Sequence, residues 1–230
     1  LHNIDFLLES KLKINDEVYI VKAAEIIPQI TGYNKKYREK ALKDNSLFDI
    51  DIPTKCPSCG STLVKNGKDL ICENPDCFDR KLEEFKFFVS RDGVNISGIG
   101  PAILRDCMNE GLIKNFVDIF KLKNKSHILL TWNRYSDKTV DNIVKSIDDA
   151  IANMSYADLI GSLGIRLVGN TASKKLVAEI PSFNELLELI NKGSYERIHK
   201  CLGGVVAGES LIDYFKNEDN VKMMREFEAL

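Results

Sequence analysis

Apolar and polar positions change rhythm twice along this chain. Between Asp16 and Ile30, in DEVYIVKAAEIIPQI, Val18 and Ile20 alternate with polar or mixed neighbours, and a second β-branched run ends at Pro28. A period of two is the mark of a half-buried strand, so the stretch predicts two short strands joined around Ala23-Ala24. The next segment, 34–49, is dense in charge, with Lys35, Lys36, Arg38, Glu39 and Lys40, and predicts a solvated loop or a short helix. Weak strand signals return at Ile50 and Ile52, and Leu63-Val64 with Leu70-Ile71 predict a second small pair of strands. The first 50 residues therefore read as a small and incomplete β unit.

After Arg91 the period becomes helical and the pattern repeats. With Gly100, Ser136, Gly169 and Gly204 taken as equivalent, the copies are 36, 33 and 35 residues apart. Seven, eight and eleven places on lie Cys107, Met108 and Gly111; Ile143, Val144 and Ile147; Leu176, Val177 and Ile180; and Leu211, Ile212 and Phe215. All but Gly111 are apolar or thiol-bearing and fall on one helical face. Each copy thus predicts a short helix, a tight turn and a second helix.

The turn is spelled most fully in the first copy, Ile96-Ser97-Gly98-Ile99-Gly100-Pro101-Ala102. Two glycines permit positive φ and close backbone approach, and Pro101 suits the first position of a helix. Unobstructed amides at a helix start form a place for a phosphate; a bare G-x-G is more often the turn of an ordinary helical hairpin, and it is the repetition that favours the phosphate reading. The third copy, Leu163-Gly164-Ile165-Arg166-Leu167-Val168-Gly169, and the fourth, Leu202-Gly203-Gly204-Val205, keep the second glycine and lose the first. The second copy, Asn133 to Lys138, has neither and reads as scaffold, with Arg134 or Lys138 able to reach a phosphate by side chain. Lys174 and Lys175 follow the third turn, where a solvated helix face is an equally good account of them. The candidate anion-binding residues are Gly98, Gly100, Gly169 and Gly204, joined by Arg166, Lys174 and Lys175.

Cysteine spacing adds a chemistry that hydropathy does not carry. Cys56, Cys59, Cys72 and Cys77 stand as C-x2-C-x12-C-x4-C, with Gly60 and Asn74-Pro75-Asp76 supplying turns. Paired short spacings separated by a dozen residues predict one tetrahedral Zn2+ held by four thiolates. Four thiolates leave no position open for water, so the ion is expected to be structural and no catalytic residue is assigned. Cys107 falls on the repeat's inner face, and Cys201 precedes the fourth turn.

Composition changes the picture little. With 44% apolar residues the chain can build real cores, and 32 basic against 34 acidic residues leave a net charge of −2. A nearly neutral chain cannot grip a polyanion by bulk field and would need locally placed cations and amides. No secretory or transit segment and no apolar run of membrane-spanning length is apparent, which predicts a soluble protein of a reducing compartment with no membrane partner. The start at Leu1 suggests a piece of something longer.

The order of these parts resembles one family. A β unit containing IIPQI, the CPSCGSTL…CENPDC cysteine segment, FVSR, and helix-hairpin-helix copies including LGIRLVG together resemble the central and C-terminal portion of bacterial-type NAD+-dependent DNA ligases. The resemblance runs from Leu1-His2-Asn3 to Phe215, with Ala24-Glu25 departing from the family's usual Gly-Asp. It implies a multidomain α+β architecture: a partial OB-fold at 1–52, a four-cysteine zinc finger at 53–85 and an all-α helix-hairpin-helix domain at 86–230. It implies a parent enzyme, used in DNA replication and repair, that seals nicks between a 5′-phosphate and a 3′-hydroxyl using NAD+ and Mg2+. The family's adenylylated lysine lies in K-x-D-G, and no K-x-D-G occurs in these 230 residues; Arg91-Asp92-Gly93 is the nearest text. The chain alone is therefore expected to grip nicked duplex DNA as a monomer, without sequence preference, and not to react with NAD+. A bacterial cytoplasmic, nucleoid-associated location is implied. Two other classes fit the residues: a non-catalytic zinc and helix-hairpin-helix module of another DNA-processing enzyme, and a zinc-stabilised protein-interaction scaffold.

Overall fold

In the computed structural model, residues 3–23 and 27–230 are described. Leu1-His2, Ala24-Glu25 and the expected strand junction at Ala24 lie outside them. The chain divides into two compact units, Leu1–Arg80 and Lys81–Leu230.

The first unit opens with α1 (Ile4–Ser10), which hydropathy did not announce. Its start is set by Asn3, whose side chain accepts from the amides of Asp5 and Phe6 at 2.9 and 3.3 Å. The expected strand pair follows β1 (Lys13–Ile14) as β2 (Val18–Ala23) and β3 (Ile27–Tyr33). They are antiparallel, running from Val18 opposite Tyr33 to Ala23 opposite Ile27, with a register shift between Tyr19 and Ile20. The charged segment is helical as α2 (Lys35–Lys43), capped by Asn34. The strand signal at Ile50 and Ile52 falls instead at β4 (Phe48–Asp49), paired with β1. A further hairpin, β5 (Leu63–Asn66) with β6 (Asp69–Cys72), turns at Gly67, where φ is +61°. Among the described residues the strands form three separate two-stranded sheets.

This unit buries little. Its buried apolar or thiol side chains, among the described residues, are Ile4, Leu12, Ala41, Cys56 and Cys77. A charged group contributes instead. The Asp16 carboxylate, 1% exposed, pairs with the Arg38 guanidinium, 12% exposed, and accepts from the amide of Lys13 at 2.6 Å. Arg38 also lies over the Tyr33 ring, 3.2 Å from its centre. One ion pair thus ties the β1–β2 turn to the end of β3 and to α2.

The second unit begins within α3 (Phe78–Val89) and is otherwise helical: α4 (Pro101–Asn109), α5 (Phe116–Lys121), a 3-10 turn (Leu122–Lys125), α6 (Ser126–Leu129) and α7 (Asp137–Asn153). Then come α8 (Tyr156–Ser162), α9 (Asn170–Glu179), α10 (Phe183–Asn191), α11 (Glu196–Cys201), α12 (Val205–Lys216) and α13 (Glu218–Glu228). An aromatic cluster anchors one part of it: Phe88 stacks on Phe116 at 4.5 Å, and Phe85, Phe120 and Phe227 close around them at 5.5–6.1 Å. Fully burying a side chain of this size contributes about 2–3 kcal/mol. Elsewhere helices meet through small residues. A Cβ at Gly161 in α8 would lie 2.6 Å from Asn170 Oδ1, and one at Gly208 in α12 would lie 2.2 Å from the ring of His199.

The repeat is legible in the burial. Cys107, Ile143, Leu176 and Leu211, seven places on, are all buried, as are Ile147, Ile180 and Phe215, eleven places on. Met108, Val144 and Val177 are only half-buried, and Gly111 is exposed because α4 has already ended; Gly111, with φ +66°, lies just beyond its cap.

Candidate functional site

The four spaced cysteines converge. Their sulfurs all lie within 4.8 Å of one another. The Sγ atoms of Cys56 and Cys77 are 3.8 Å apart, and those of Cys59 and Cys72 3.6 Å. Bonded sulfurs sit about 2.05 Å apart, so these are not disulfides. A tetrahedron with metal–sulfur bonds of about 2.3 Å has edges of about 3.8 Å, and the cluster matches that spacing in both pairs.

Local sequence builds it. At the first knuckle the amide of Gly60 donates to the Cys56 carbonyl at 2.9 Å, with Gly60 at φ +73°, where a side chain would be strained. Cys56 N donates to Ser61 O at 2.8 Å. At the second, Asn74 accepts from the Asp76 amide at 2.9 Å, and its side-chain amide donates to Ser61 Oγ at 3.2 Å, tying one knuckle to the other. Crowding drives the thiols apart in acidity. Hydrogen bonds from Ser61 pull Cys59 down to about 6. Cys72 keeps a hydrogen bond from the Asn74 backbone, yet desolvation and the neighbouring thiols push it up to about 12. A divalent soft-ligand cation at the centre removes that conflict by holding all four as thiolates. The residues fit a metal, and the closed donor set suits zinc.

The four equivalent positions of the repeat are four helix N-caps. Gly100 precedes α4, Ser136 α7, Gly169 α9 and Gly204 α12. In every copy the cap's carbonyl accepts from the amide four residues on, at 2.9–3.2 Å. The caps then differ. Ser136 Oγ accepts from the amide of Thr139 at 3.3 Å, whereas the glycines offer no side-chain acceptor. Beyond those caps the amides of Ala102, Ile103, Asn170, Thr171, Val205 and Val206 find no acceptor among the described residues. They point outward from helix starts, where the dipole favours an anion.

The glycines' conformations refine the sequence reading. Gly100 and Gly169 have φ of −91° and −95°, open to any residue, so their value is the missing side chain and not positive φ. The left-handed φ values fall earlier in each turn: Gly98 at +82°, Gly203 at +77° immediately before its cap, and, in the third copy, Gly164 at +71° and Leu167 at +64°; the cap Gly204, at +159°, is close to extended. Leu167 stands two places before its cap, as Gly98 does, so the turn persists although its glycine is gone. Arg166, Lys174 and Lys175 are exposed, with no ion-pair partner among the described residues. Arg166 lies in the third turn; the two lysines lie on α9 beyond its first turn. Arg134 is not available in the same way: its Nη1 and the Tyr135 hydroxyl donate to Asp106 Oδ2 at 2.9 and 2.7 Å, clamping the second turn to α4.

Sequence reasoning missed Asp106, Leu167 and Asn170. Asn170 joins the third hairpin to the first, its side-chain amide donating to the Asp92 carbonyl at 2.8 Å. The signal for Leu167 was its register with Gly98. Gly93, in the Arg91-Asp92-Gly93 text, is a glycine for packing: a Cβ there would lie 2.2 Å from the Phe88 carbonyl oxygen. Cys107 is buried, and its thiol is pushed up to about 12 by desolvation. Cys201 is half-buried and its thiol is likewise raised, chiefly by burial.

No family model matches the chain. Over 229 residues, 98% of its length, it is 34% identical to a DNA ligase of Limosilactobacillus reuteri (strain DSM 20016). It is 33% identical over its full length to DNA ligases of Levilactobacillus brevis (strain ATCC 367) and Bacillus subtilis (strain 168). The chain is homologous to DNA ligases along nearly its whole length. It spans about a third of the length of the curated relatives it matches, 32–33% of each. Among the described residues no helix is long and apolar enough to cross a membrane.

Proposed function

We propose that this chain is the DNA-holding, C-terminal portion of an NAD+-dependent DNA ligase that seals 5′-phosphate/3′-hydroxyl nicks in replication and repair. The observation that carries the proposal is the set of helix starts at Gly100, Gly169 and Gly204, in register and with first-turn amides unpaired. Backbone amides read phosphates without reading bases, which suits an enzyme that must act on nicks in any sequence. Arg166, Lys174 and Lys175 add local positive charge to a nearly neutral chain. Ser136 and Arg134 have their groups committed within the protein, so the second hairpin serves as scaffold.

In this reading 1–52 is part of an OB unit, 53–85 a zinc finger with one structural Zn2+, and 86–230 the helix-hairpin-helix domain. NAD+ and Mg2+ act through a nucleotidyltransferase domain of the parent enzyme, since the nucleophilic K-x-D-G is not in this sequence. The chain is monomeric and works in the bacterial cytoplasm at the nucleoid.

Titration with nicked and intact duplex at several salt concentrations tests the reading. Affinity falling roughly tenfold per doubling of salt corresponds to about four phosphate contacts. Incubation with labelled NAD+ should leave the protein unlabelled. No duplex binding at low salt, or stoichiometric label on a lysine such as Lys22 or Lys65, would refute it.

A further inference from the structure

Leu167 carries two unfavourable features at once. It occupies the left-handed region at φ +64°, and its side chain is 59% exposed. The other non-glycine residues with positive φ, among the described residues, are Asn15, Asn45, Asn95 and Lys11. Three are asparagines, which tolerate that region, and Lys11 ends a helix; Leu167 is the only aliphatic one. Glycine would remove both the strain and the exposed apolar surface, and the first hairpin places Gly98 at the matching position with φ +82°. Within the protein the leucine side chain returns little for what it costs. Strain of this kind clusters at active sites, ligand clamps and switch regions.

The surroundings indicate what it meets. Along the chain Leu167 lies between exposed Arg166 and the unpaired amides after Gly169, next to the helix start assigned above to a phosphate. In a nucleic-acid backbone the surface adjoining a phosphate is the apolar flank of a deoxyribose. The fourth hairpin exposes apolar side chains on the other side of its cap: Val205 and Val206, 60% and 62% exposed, are the first two residues of α12 after Gly204. Resting on the DNA-holding reading, we infer that Leu167 is an apolar prong that packs against the deoxyribose flank beside the phosphate held by the third hairpin.

The test pairs stability with affinity on the whole chain, using a fluorescein-labelled nicked duplex. Leu167→Gly relieves the backbone, so its melting temperature should equal or exceed the parent's, while duplex affinity falls about fivefold for the lost apolar contact. Leu167→Ala keeps the strained backbone and loses the prong, and should weaken binding similarly. Neither should change the slope of affinity against salt, because no phosphate contact is removed; Lys174→Gln with Lys175→Gln should lower that slope. A parent that binds duplex while both leucine variants bind within twofold of it overturns the prong alone. So does weak binding by Leu167→Gly with normal binding by Leu167→Ala, which would assign the effect to the backbone. A parent that does not bind duplex overturns the hairpin reading and this inference with it.

Discussion

The two units solve the problem of staying folded by different means. The second buries dozens of apolar side chains, among them Phe88, Leu104, Ile119, Phe120, Ile143 and Leu186 at 0–1% exposure. The first buries only Ile4, Leu12, Ala41 and two cysteines among its described residues, and leaves Tyr19, Ile20, Ile27 and Phe48 more than half exposed. Burial at about 25 cal/mol per Å2 can hold the second unit together but supplies the first with little. What remains there is the cysteine cluster, the Asp16–Arg38 pair and the asparagine caps. Chemistry at a few points replaces area, so the first unit should be sensitive to chelators, acid and single polar substitutions that leave the second intact.

Metal removal gives the largest expected effect. Structural four-thiolate zinc contributes on the order of 10 kcal/mol at neutral pH, so a strong chelator, or Cys72→Ser, should unfold the segment around Cys56 to Cys77. Amide exchange resolved by residue should show that segment exposed while the amides of α4 to α13 stay protected, and elemental analysis of the parent should give one zinc per chain. Equal protection with and without metal would erase the contrast between the units.

A core truncation makes the converse test. Phe88→Ala should cost about 3–5 kcal/mol in the second unit and leave metal content at one ion per chain. Loss of zinc from that variant would mean that the units do not respond separately.

The ion pair sharpens the comparison on the acid side. Arg38, hydrogen-bonded to Asp16, holds the carboxyl below its ordinary value. A depressed carboxyl pKa gives stability that is complete above about pH 4 and is lost as pH falls through the folded value. Asp16→Asn should lower the first unit's stability at neutral pH by about 2 kcal/mol and flatten its loss in acid, measured in a metal-loaded sample by urea titration. An acid limb unchanged by the substitution would remove the pair from the account.

Smallest in stability, though not in binding, are the hairpin caps. Because φ at Gly169 suits any residue, Gly169→Val should cost no more than about 1 kcal/mol while weakening duplex binding by covering the amides. Ser136→Ala should cost about 1 kcal/mol through the lost cap and leave binding unchanged. Equal affinity in both variants would take the glycine caps out of the mechanism.

Much of this was legible in the sequence, and what was legible had a period or a spacing. Four cysteines at knuckle spacing announced the cluster, and the copies 33–36 residues apart marked the cap positions of α4, α7, α9 and α12. What was not legible depends on partners distant in sequence or on a single backbone angle. The Asp106 bonds to Arg134 and Tyr135 span 28 and 29 residues, and Asn170 reaches Asp92 across 78. Helix α1 is too short to show a period, and its only sequence signal is Asn3. The positive φ at Gly98 was readable because glycine advertises it; at Leu167 nothing in the residue type does.

The close approach at Gly93 bears on how such a protein would look in a saturation mutagenesis screen. Even an alanine there would press a methyl group onto two main-chain carbonyl oxygens, those of Phe88 at 2.2 Å and Phe87 at 2.5 Å, and main chain cannot rotate aside as a side chain can. A survival map would therefore mark position 93 as intolerant of every replacement. It would score the adjacent Asp92 far more leniently, because that residue contributes only its carbonyl to Asn170. Ranked by intolerance alone, a buttress of the α3 terminus would outrank the exposed side chains proposed to meet DNA.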